Sequence, residues 1–140
     1  RGSVALTPLF DYSISNFGYS REIHRDSDAR AFVILLYLND LEDNTEGGTL
    51  GIYKHLESLT KYPPQIAFSK AEKILEVHPR AGRLIIFFNQ SNSYHAVDKM
   101  TYSKRGRHFI YGALTMQNSL GSPSIKDSTK KSPTEYYLYK

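Results

Sequence analysis

The sequence predicts an all-β domain, and three observations carry that reading. Aromatic residues make up 13% of the chain, with 11 Tyr and no Trp, a composition that suits pleated, half-buried surfaces better than a helical bundle. The apolar runs, FVILLYL and LIIFF, are short and β-branched or aromatic, as buried strands are. Between the runs stand Gly, Pro, Asn and Ser clusters that break the chain into turns. At 140 residues the chain can build one hydrophobic core and not two.

Taken in order, VALTPLFDYSISNF reads as one or two strands interrupted at Pro8, with a turn at Asn16, Phe17 and Gly18. YSREIH is a strand that delivers His24. Residues 31–38 are too apolar to have one face in water, so this strand belongs to a sandwich or barrel interior. LEDNTEGG then reads as a solvated hairpin connection whose glycines allow a tight return. Its carboxylates lack the spacing of a calcium loop. TLGIY is the next strand. Residues 54–72 form an insert with a short helical turn at HLESL, ended before Pro63 and Pro64, and are expected at the rim of a cleft. KILEVHP and LIIFF are strands on either side of a turn in which Gly82 permits a positive φ. YHAV and HFIYGAL complete the set. The domain spans residues 1–117. Residues 118–140 read as a C-terminal extension rich in Ser, Pro and Lys, whose terminal YYLY would pack back on the sheet or on a second copy, so an oligomer is left open.

Composition narrows the function classes. Without cysteine there is neither a disulfide nor a thiolate metal site, which points to a cytoplasmic or otherwise reducing setting. No apolar run approaches the roughly 20 residues of a membrane span, and no signal peptide is visible at RGSVALTP. A net charge of +4 fits ordinary solubility or an anionic cosubstrate. Its basic clusters are not interleaved with aromatic residues, so nucleic-acid binding is not expected.

The chemistry-bearing residues are His24 and Asp26, two apart and therefore on one face of an extended chain, and His95 at the start of a later strand. Two nitrogens and one oxygen are the donor set of non-haem ferrous iron, and less well of a catalytic zinc. An isolated H-x-D triplet is ordinarily a strand-end histidine beside an exposed acid, and what raises this one is its context. His55, His78 and His108 read as surface histidines. Tyr12 and Tyr19 lie upstream of the triplet. Tyr12 is read as a possible cosubstrate contact, against the ordinary alternative of a core tyrosine.

The succession H-R-D, RAFVILLYLND, EGGTLGIY, HPRAGRLIIFFNQSNSYHAV and RHFIYGAL resembles the iron- and 2-oxoglutarate-dependent dioxygenases, in particular the prolyl-4-hydroxylase-like branch, over roughly residues 10–115. The resemblance implies a double-stranded β-helix, or jelly roll, of about eight antiparallel strands in two sheets with few peripheral helices. It implies that His24, Asp26 and His95 hold Fe(II), and that 2-oxoglutarate is anchored by Tyr37 of the YLN triplet and by a basic residue leading the last strand. Arg105 has the commoner spacing from His95. Arg107 directly precedes the aromatic and β-branched residues that follow the basic residue in such enzymes and is chosen for that reason; a guanidinium fork is the group that suits a buried carboxylate. The expected reaction uses O2 to hydroxylate an aliphatic C–H, with release of succinate and CO2. The expected substrate is a prolyl residue of a peptide or protein. A free amino acid or other small molecule, or a non-enzymatic metal-binding jelly roll, is the alternative.

Overall fold

The computed structural model describes residues 5–116. Eight strands run through them: β1 Leu6–Ser15, β2 Arg21–His24, β3 Arg30–Tyr37, β4 Leu50–His55, β5 Ala71–Val77, β6 Leu84–Phe88, β7 Tyr94–Val97 and β8 Arg107–Met116. They form two four-stranded sheets, ordered β1-β8-β3-β6 and β2-β7-β4-β5, and every strand pairing is antiparallel. This β-rich arrangement, with one short 3-10 helix at Phe68–Lys70 among the described residues, is consistent with the expected jelly roll. No helix among the described residues is long and apolar enough to cross a membrane.

β1 is continuous through Pro8. The strand is at a sheet edge and pairs only with β8, a position where a missing N–H costs no ladder bond. The expected helical turn at HLESL does not form. Residues 54–72 instead cover the outer face of the second sheet, where Tyr62 and Ile66 pack against Ile23, Tyr53, Tyr94 and Ala96. Tyr94 donates to the Pro63 carbonyl at 2.6 Å, and the Ile66 and Arg25 amides bond to Ile23 and Pro64, so the insert also lines the free edge of β2. The YYLY segment lies outside the described residues.

The main core lies between the sheets. Leu35, Tyr37 and Phe109 from the first sheet meet Leu50, Ile52, Val77 and Val97 from the second. Strand alternation decides which side chains enter it. In β8 the inward set is Arg107, Phe109 and Tyr111, while His108 and Ile110 face out with their register partners Ile14 and Tyr12 on β1. On the outer face of this first sheet Phe10, Leu84, Ile86 and Phe88 are exposed.

Gly47 and Gly48 bring the chain into β4 with φ of +76° and +66°. A Cβ on Gly47 would stand 2.1 Å from the Lys99 carbonyl oxygen, so the double glycine is required by close backbone approach as well as by φ.

Candidate active site

β2 ends at His24, whose register partner on β7 is His95, and both rings enter the space between the sheets. Their centroids are 4.3 Å apart. Asp26 follows two residues later, beyond the strand end, and its Oδ2 lies 3.9 Å from His95 Nε2. One ligand atom from each of the three residues falls within 4.8 Å of the others, the only such group of His, Asp or Glu among the described residues.

The local bonding readies these side chains to be ligands. His24 Nδ1 donates to the Glu22 carbonyl at 2.8 Å, which leaves Nε2 with a free lone pair. Burial lowers the pKa of His24, and burial followed by the neighbouring His24 pushes His95 down to about 4. Both imidazoles are therefore neutral at pH 7, the form that binds a metal. His95 Nδ1 is buried without a hydrogen-bond partner among the described residues. Asp26 is held on both oxygens: Arg30 Nη1 donates to Oδ1 at 2.8 Å and Tyr111 Oη to Oδ2 at 2.9 Å. Burial, and then the Asp26 charge, raise the Tyr111 pKa, so its hydroxyl remains a donor.

A second cluster occupies the same core four residues back along β8, roughly 13 Å at about 3.3 Å per residue. Arg107 is only 2% exposed. Its Nη1 donates to the Gly48 carbonyl, and its guanidinium lies over Phe109, Tyr37 and Tyr19 at 4.8, 5.5 and 5.7 Å from the ring centroids. No carboxylate pairs with it among the described residues, and its Nε is buried without a hydrogen-bond partner. Burial lowers the Arg107 pKa and raises that of Tyr37. A buried guanidinium with an unused N–H beside a neutral phenol can take a carboxylate.

The structure thus brings His24, Asp26 and His95 together, and places Arg107 and Tyr37 together. It separates Arg105, which is exposed and pairs with Asp40 at 2.5 Å. The expectation for Tyr12 is corrected. Its register partner is Ile110, so it lies on the outer face, 59% exposed, where it bonds to His108 Nδ1 at 2.5 Å. The tyrosine near Arg107 from this part of the chain is Tyr19.

Three further residues were not singled out by sequence. Gly48, expected only to allow a tight return, supplies the acceptor for Arg107. Asn39 donates to the Gly106 carbonyl and accepts from the His108 amide, both at 2.9 Å, and so grips the backbone on either side of Arg107. Tyr111 bonds to Asp26. Only the strand alternation that puts Tyr111 on the face of Arg107 could have pointed to it.

Residues 10–112 match the 2OG-Fe(II) oxygenase superfamily. No curated protein sequence matches the chain. Among solved structures it is similar to a Pseudomonas putida prolyl-4-hydroxylase, at 20% identity and a TM-score of 0.50, over 79% of this chain and 53% of that one. The chain therefore spans about half the length of that relative, and the likeness is one of fold.

Proposed function

For this chain, which belongs to the 2OG-Fe(II) oxygenase superfamily, we propose the activity of an Fe(II)- and 2-oxoglutarate-dependent dioxygenase that hydroxylates an aliphatic C–H, with a prolyl residue of a peptide or protein as substrate. The observation that carries the reading is the pairing of two features in one core. A three-residue donor set meets at one end, and a buried arginine with an unused N–H stands at the other. A protein that held a metal for stability alone has no need of the second. The prolyl substrate rests on the fold likeness to a prolyl-4-hydroxylase.

In this reading His24, Asp26 and His95 hold ferrous iron, whose chemistry when bound with 2-oxoglutarate is to activate O2 for C–H hydroxylation, yielding succinate and CO2. The chain's own part is placement. His24 at the end of β2, Asp26 in the segment after it and His95 on β7 would together hold the cation. Arg107 and Tyr37 take the far carboxylate of 2-oxoglutarate, which gives the orphaned Nε a partner and fixes the molecule's direction.

The test is an anaerobic titration of the Fe(II)-loaded protein with 2-oxoglutarate, followed by oxygen-dependent succinate release in the presence of proline-containing peptides. Binding followed by peptide hydroxylation is the expected result. Absence of 2-oxoglutarate binding at millimolar concentration refutes the oxygenase reading. Succinate formation that no proline peptide stimulates retains the oxygenase and removes the prolyl substrate.

A further inference from the structure

We propose that Tyr111 and Arg30 are positioning residues that lock the Asp26 carboxylate in one orientation, so that it offers a single oxygen to the cation shared with His24 and His95. The inference rests on the metal-binding reading of those three residues and goes beyond it.

Asp26 needs such support because of where it stands. His24 is fixed by strand pairing and by its bond to Glu22. Asp26 follows the end of β2, in a segment without regular pairing that leads into a turn, so backbone structure does not fix its side chain. The carboxylate is nonetheless largely buried, at 9% side-chain exposure, and both of its oxygens are engaged. Arg30 Nη1 donates a charge-assisted bond of 2.8 Å to Oδ1, which holds that oxygen on the Arg30 side and fixes the rotation of the carboxylate. Tyr111 Oη donates one bond to Oδ2 at 2.9 Å, which leaves a lone pair on the oxygen that faces His95 Nε2. The 3.9 Å between Oδ2 and that nitrogen is too long for a hydrogen bond, and it is wide enough for a cation making bonds of roughly 2.0–2.2 Å to each.

The two holders are themselves joined. Arg30 Nη1 also donates to Tyr111 Oη at 2.5 Å, and the guanidinium lies 5.4 Å from the Tyr111 ring centroid. Asp26, Arg30 and Tyr111 therefore form a closed triangle. It is built from the turn after β2, the start of β3 and the inner face of β8, so it ties a ligand carried by one sheet to the other sheet. Outer partners of this kind fix ligand geometry, and their removal costs roughly 10- to 100-fold in metal affinity.

The test uses metal-free full-length chain titrated with Mn(II) for affinity and with Co(II) for its visible absorption, so that it does not depend on turnover. Tyr111→Phe keeps the buried ring and removes one hydroxyl. We expect roughly 10- to 100-fold weaker Mn(II) binding and an altered Co(II) spectrum. Arg30→Gln should act in the same direction and Arg30→Lys less. The Tyr111→Phe/Arg30→Gln double variant should lose less than the sum of the two, because one network is broken once. Wild-type affinity and an unaltered Co(II) spectrum in Tyr111→Phe would overturn the proposal, as would reduced thermal stability of the metal-free variant with no spectral change. If Asp26→Ala binds Mn(II) as well as wild type does, the metal-site reading itself fails and the clamp with it.

Discussion

Replacing Arg107 with methionine separates an anchoring role from a structural one, because the two roles predict opposite results. In the ligand-free protein the Arg107 guanidinium is a buried charge with no carboxylate partner among the described residues. Burial of such an ion costs several kcal/mol. Against this stand one charge-assisted bond to the Gly48 carbonyl, about 1.5–3 kcal/mol, and contacts with three aromatic faces, about 0.5–2 kcal/mol each. The terms nearly cancel. Methionine fills a similar path with an unbranched apolar chain, so Arg107→Met should change ligand-free stability in urea by less than about 2 kcal/mol. Binding of 2-oxoglutarate should suffer far more, because its distal carboxylate would lose a bidentate charged partner in a buried site. That loss is about 2–5 kcal/mol, or roughly 30- to several-thousand-fold in affinity. Anaerobic calorimetry on the Mn(II)-loaded protein measures it, with Mn(II) affinity as the internal control. Arg105→Ala should cost under about 1 kcal/mol, since its pair with Asp40 is exposed to solvent. Comparable losses from the two arginines, or severe destabilisation of Arg107→Met with 2-oxoglutarate affinity intact, would refute the assignment.

Acid should destabilise the metal-free protein through His95. Its folded pKa is lowered from 6.5 to about 4 by burial, so as pH falls below 6.5 the unfolded chain takes up a proton that the folded chain refuses. Stability is full above 6.5, declines between 6.5 and 4, and levels below that. The His95 share is at most about 3 kcal/mol, and urea denaturation of wild type and His95→Gln across that range should show the steeper slope in wild type, the remainder in His95→Gln coming from groups such as His24, whose pKa burial also lowers. Gly47→Ala combines a φ of +76° with a 2.1 Å approach to the Lys99 carbonyl, so a thermal melt should show a loss of at least about 1–3 kcal/mol. Tyr12→Phe removes only an exposed bond to His108; stability should stay within about 0.5 kcal/mol, and an appreciable loss of 2-oxoglutarate affinity would return Tyr12 to the site.

The strands were legible because their signals are local. Residues 31–38 and LIIFF are apolar throughout and became the neighbours β3 and β6, and the double glycine fell where β4 begins. His24, Asp26 and His95 were legible for a related reason, since a two-residue spacing and a strand start fix which way side chains leave the backbone. Tyr12 went astray because its face depends on the register between β1 and β8, strands almost a hundred residues apart, and no local pattern in β1 states it. Pro8 misled similarly: a proline interrupts a central strand and is tolerated at an edge, and which strand is at the edge is a property of the whole sheet. The 54–72 insert has no period of its own, and its place over Tyr53 and Tyr94 follows from the apolar outer face it covers.

What joins the two halves of the site is the alternation of β8. Arg107 and Tyr111 are four residues apart and therefore on one face, with Phe109 between them. One reaches the Gly48 carbonyl and the Tyr37 ring, and the other reaches Asp26. A slip of β8 by one residue against β3 would turn both outward and bring His108 and Ile110 in, so the proposed cosubstrate anchor and the proposed holder of Asp26 would be lost together. Asn39 opposes such a slip, because its side chain bonds to Gly106 and His108 and not to Arg107 itself. The YLN triplet thus contributes twice to the same corner: Tyr37 points into the core beside the guanidinium, and Asn39, two residues on, holds the register that keeps the guanidinium there.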